Sequence, residues 1–63
     1  MNGVVVDYDA DRGLGTIEAD GGGRHRFHCV EIADGSRTIP VGAAVTFDLL
    51  PKFGTWEAAN IRT

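Results

Sequence analysis

Two groups of residues stand close enough in sequence to do chemistry, and one further stretch is built for close approach. His25, His28 and Cys29 carry the imidazole and thiol atoms that hold transition metals. In an extended strand, however, neighbouring side chains point to opposite faces, so His25 and His28 diverge and neither a metal site nor a cofactor is expected. Asp7, Asp9 and Asp11 alternate and can face one way near a turn, which offers a weak cation site or a solubilising surface. Their charge would also repel a phosphate chain passing the first strand. The third stretch is Arg12-Gly13-Leu14-Gly15-Thr16-Ile17, where two glycines mark a sharp backbone twist or a close approach. The glycine-rich segments lack the lysine and hydroxyl of a phosphate loop. No nucleophile, base and orienting group can be assembled from one cysteine, two histidines and scattered hydroxyls, so an enzyme is not expected.

The elements that must position these residues are strands. Val4 to Tyr8 is β-branched and aromatic, and it stops at the turn-forming Asp9-Ala10-Asp11. Gly13 to Ala19 follows, with Leu14, Thr16 and Glu18 on one face and Gly15 and Ile17 on the other, which makes Ile17 a core anchor. Asp20-Gly21-Gly22-Gly23 supplies a tight hairpin. Arg24 to Val30 then forms a third strand, antiparallel to the second, with Phe27 facing the core and Arg26 and His28 facing away. Glu31 to Val41 is a connection with a turn at Asp34-Gly35-Ser36, buried Ile32 and Ile39, and a reversal at Pro40 to Gly42. Val45 to Leu49 alternates as a half-buried fourth strand that Pro51 should end. Trp56 to Ile61 is the fifth.

A chain of 63 residues allows one domain, here residues 1–63, and a single small core. The 43% hydrophobic and 24% charged content is too apolar for a disordered tail. Nine acidic against six basic residues give a net charge of −3, which argues against non-specific attraction to polyanions but leaves room for a local basic groove. The lone Cys29 forms no internal disulfide, no apolar run reaches the length of a membrane span, and a cytoplasmic location is expected. Five short strands without an amphipathic helix predict an all-β, five-stranded antiparallel barrel.

Over nearly its whole length the chain resembles the bacterial cold-shock domain. The resemblance rests on Gly3 and Val5, Arg12-Gly13-Leu14-Gly15-Thr16-Ile17, Phe27-His28-Cys29 with Ile32, Val45-Thr46-Phe47-Asp48 and Ala58-Ala59-Asn60-Ile61. It implies an OB-type barrel that binds single-stranded RNA or DNA. In that family two motifs, Lys-Gly-Phe-Gly-Phe-Ile and Val-Phe-Val-His-Phe, present aromatic rings to successive bases. Here Leu14, Thr16, Arg26 and Cys29 stand at four of those ring positions, and Asp7 stands where the family carries a tryptophan. Tyr8, Arg12 and His28 match family residues, and Arg26 adds a guanidinium that can stack on a base.

Two aromatics fall where the family usually has none, Phe53 and Trp56, in or beside the loop that leads to the fifth strand. They are either a relocated stacking site or an extension of the core. The resemblance, with these two aromatics of the chain's own added, gives a weak single-strand binding surface formed by Tyr8, Arg12, Leu14, Thr16, Arg26, His28, Phe53 and Trp56. The alternative is a barrel kept as a scaffold for a protein partner or a second copy, anchored by Leu14, Cys29 and Trp56.

Overall fold

The computed structural model describes residues 1–35, 38–52 and 54–63, together with every side chain in them except that of Lys52. Phe53 of the expected surface and Ser36 of the expected turn lie outside the described residues. Among the described residues five strands form one antiparallel sheet: β1 Asn2–Asp9, β2 Leu14–Ala19, β3 Arg24–His28, β4 Ala44–Lys52 and β5 Thr55–Arg62. Their order is β3-β2-β1-β4-β5. The hydrogen-bonded ladder is thus open, with β3 and β5 at its two ends, where a closed barrel had been expected. The sheet rolls so that β3 packs beside β5, and an isolated parallel bridge joins Ile32 to Ile61.

The alternation in the sequence becomes the two sides of this sheet. Val5, Ile17, Phe27, Phe47 and Ile61 are fully buried, and Ile32, Ile39 and Val45 close the core around them. The glycines of the Arg12–Ile17 stretch have different jobs. Gly13 sits at φ 68° in the β1–β2 turn, a left-handed conformation that costs glycine least. A Cβ on Gly15 would lie 2.3 Å from Cζ of Phe27, so its bareness admits a core ring. The β1–β2 turn is tied by Asp9, whose Oδ1 accepts from the N–H groups of Asp11 at 3.1 Å and Arg12 at 3.3 Å.

Two element boundaries differ from the sequence pattern. β3 ends at His28 rather than Val30, because the Cys29 N–H donates to the Gly13 carbonyl at 2.7 Å and Cys29–Glu31 form a 3₁₀ turn. That turn delivers Ile32 to the core and leaves Val30 exposed. Pro51 does not end β4 but pairs with Trp56 inside it. β1 covers only Ala44–Thr46 of β4, so the far half of that strand has a partner on one side and tolerates a residue without an N–H.

Two irregularities re-aim side chains. In β1, Val5 pairs with Ile17 and Asp7 with Thr16, so Val6 is an extra residue without a directly opposed partner. In β5, Asn60 adopts φ 51° where the register to β4 shifts. Its backbone N–H donates to Glu31 Oε1 at 3.4 Å and its Nδ2 to Asp48 Oδ2 at 3.2 Å. The shift lets the neighbours Ala58 and Ala59 both be buried and returns Ile61 to the core.

Candidate functional site

The outer face of β1, β2 and β3 follows from the pairing register, since directly paired residues share a face. Gly15 and Ile17 of β2 point inward, so Leu14, Thr16 and Glu18 point out. Three rungs cross that face: Asp9–Leu14–His28, Asp7–Thr16–Arg26 and Val4–Glu18–Arg24. Reading across them, β1 contributes Val4 and the carboxylates Asp7 and Asp9, β2 the uncharged Leu14 and Thr16 and the acidic Glu18, and β3 the guanidinium groups of Arg24 and Arg26 and the imidazole of His28. Neighbouring strands lie about 4.8 Å apart, so the β1 and β3 columns are about 10 Å from each other.

Some of these charges are already matched. Arg24 Nε donates to Glu18 Oε2 at 3.1 Å, and Arg12 Nε lies 3.9 Å from Asp9 Oδ2. Both pairs are exposed and contribute at most about 1 kcal/mol each. Arg26 and His28 are exposed and have no ion-pair partner among the described residues.

Beyond the edge of β3 the face meets β5. A groove of about 490 Å³ is lined there by Thr16, Arg24, His25, Arg26, Thr55, Trp56 and Glu57. Trp56 is 58% exposed, so its ring is a surface plane rather than part of the core. A second groove, of about 220 Å³, runs toward β1 and is lined by Asp7, Asp9, Arg12, Leu14, Gly15, Thr16 and Arg26. Thr16 and Arg26 line both grooves, so the two meet on that rung. One end of the joined surface carries Trp56 with Arg24 and Glu57; the other carries Asp7 and Asp9 with Arg12.

The structure brings Leu14, Thr16, Arg26 and His28 onto one outer face, with Trp56 across the groove and Arg12 at the turn below. Tyr8 lies on the other side of the sheet. Because of the extra residue at Val6, Tyr8 pairs with Gly15 and its ring stacks on Phe27, centroids 6.0 Å apart and planes within 5°. Burial raises the Tyr8 pKa above its ordinary value, helped by the nearby Cys29 and Asp9. Arg24 and His25 line the groove although the sequence reading did not select them. Arg24 was findable, as it lies two positions from Arg26 on the same strand face. His25 reaches the groove from the inner side, tilted against Phe47 at 6.1 Å.

Among the described residues no three His, Cys, Asp or Glu side chains gather as a metal cluster. No helix among them is long and apolar enough to cross a membrane. No family model and no curated protein matches this chain.

Proposed function

We propose that this chain is a small binding module for short single-stranded RNA or DNA, held where β3 meets β5. The observation that carries the reading is the exposed Trp56 in one groove with Arg24 and Arg26. A surface ring beside the Arg26 guanidinium offers a plane for a base and a partner for its phosphate, while Arg24 is held by Glu18 and Glu57 lines the same groove. Stacking on such a ring contributes about 1 to 3 kcal/mol per base. Thr16 and Leu14 form a strip without charge over which sugars and base edges can pass, and His28 continues the β3 column. In this reading the rolled sheet is an OB-type barrel of the cold-shock kind, supported by the packing of β3 beside β5 and the Ile32–Ile61 bridge. The binding is weak, because the chain carries a net charge of −3 and non-aromatic residues occupy the usual ring positions of β2.

The test is a titration of Trp56 fluorescence, from the sole tryptophan, with short oligothymidine and oligouridine at low salt. Quenching is expected, with affinity falling as salt rises because phosphate contacts release counterions. Arg26→Ala should weaken binding while changing stability by less than about 0.5 kcal/mol, as is usual for an exposed position. Absence of quenching and of backbone NMR shifts at millimolar oligomer would remove the reading. If dilution of the protein alone alters the spectrum, self-association through Leu14, Cys29 and Trp56 replaces it.

A further inference from the structure

The outer face attracts a phosphate chain at one edge and repels it at the other, and the position of that boundary is set by one backbone irregularity. Simple alternation from the buried Val5 would turn Asp7 inward and Tyr8 outward. The extra residue at Val6 reverses both, so Asp7 joins Thr16 and Arg26 on the outer rung. Asp9 is paired with Arg12, but Asp7 has no cation within ion-pair distance among the described residues. It is the uncompensated negative charge in the groove that it shares with Arg26.

We infer that Asp7, backed by Asp9, is an electrostatic fence that stops a bound strand at β2, so that the module takes only a short run of nucleotides across β3 and β5. The inference rests on the single-strand reading and assigns the limit of that same site. A phosphate above β2 lies about 5 Å from each column, where attraction from Arg26 and repulsion from Asp7 nearly cancel. A phosphate above β3 or the β5 groove stays within reach of Arg26 and of Arg24, whose charge Glu18 offsets, and lies about 10 Å from Asp7 and Asp9, with Glu57 as the carboxylate of that groove. That separation is close to the screening length at 0.1 M salt, so the fence acts at moderate ionic strength and fades above it.

The fence is tested by making it attractive. Asp7 is exposed, whereas the Asp9 carboxylate holds the turn, so the substitution belongs at Asp7. Labelled oligothymidines of increasing length are titrated by fluorescence anisotropy into the unaltered protein, Asp7→Asn and Asp7→Lys, with Trp56 quenching followed in parallel. For the unaltered protein, affinity should level off at short length. For Asp7→Lys it should keep rising with length, and each phosphate held ~10 Å away should bind about fourfold more tightly than in the unaltered protein at low salt. Its salt slope should steepen by about 0.7 for one added phosphate contact, with Asp7→Asn between the two. Binding that appears only in Asp7→Lys removes both the fence and the single-strand reading, because the unaltered protein then holds no strand and the new lysine alone attracts phosphate. If both variants follow the unaltered protein at every length and salt while Trp56 is still quenched, the fence is gone and the single-strand reading stands. If none of the three proteins binds any oligomer, both fall.

Discussion

The two faces of the β1–β2–β3 sheet are made by the same alternating residues and are specified very differently. On the inner face Val5, Gly15, Ile17 and Phe27 interlock so closely that a single added carbon at Gly15 would overlap a ring. On the outer face Asp7, Thr16 and Arg26 stand on one rung with no ion pair among them. Core positions are constrained by close packing, which responds to one methylene, while surface charges interact through water and tolerate exchange. The inner face therefore fixes stability, and the outer face is free to be shaped for a partner.

Substitutions on the inner face should break this contrast most strongly. Phe27→Ala removes a fully buried ring and should cost about 3 to 5 kcal/mol, read from the urea unfolding midpoint. In a domain of this size such a loss approaches the whole stability. Gly15→Ala should cost about 1 to 3 kcal/mol in the same assay, by overpacking against Phe27 and the Asp7 carbonyl. A neutral result there would mean that the inner face yields as easily as the outer one.

The smallest effect sharpens the boundary between the faces, since Tyr8 lies half-buried at the rim of the inner one. Its raised pKa means that the unfolded chain loses this proton first as pH climbs past 10.0. The stability tied to the neutral phenol is complete below that pH and is lost as pH rises through the folded value. Tyrosinate absorbance of this single tyrosine should show the delayed ionisation. Tyr8→Phe should keep the ring on Phe27 and flatten the tyrosine contribution to the alkaline fall in stability.

Much of the fold was legible in the chain. Alternation placed Ile17, Phe27 and Phe47 inside, and the glycine run after Ala19 placed the β2–β3 hairpin. Of the candidate site, Leu14, Thr16, Arg26 and His28 were legible as one face because a regular strand carries its own period. Arg24 followed from the same period and was passed over. The end of β3 was not legible, because it depends on a hydrogen bond from Cys29 to Gly13, distant in sequence. The continuation of β4 through Pro51 was hidden for a similar reason: whether a missing N–H matters depends on which strand lies beside it.

The sequence by itself determined the strands, the inward and outward sets within each regular run, and the charges that the surface carries. The tertiary structure alone decided which surface those charges share. Nothing in Val4-Val5-Val6-Asp7-Tyr8 announces an extra residue, since a bulge arises from how one strand must bend against its neighbour. That one residue turned Tyr8 toward Phe27 and Asp7 toward Arg26, because a shift of one position in a period of two exchanges every side chain between faces. The placing of Trp56 in one groove with Arg24 and Arg26 was likewise settled by the approach of β5 to β3, a contact between the two ends of the sheet that local pattern does not encode.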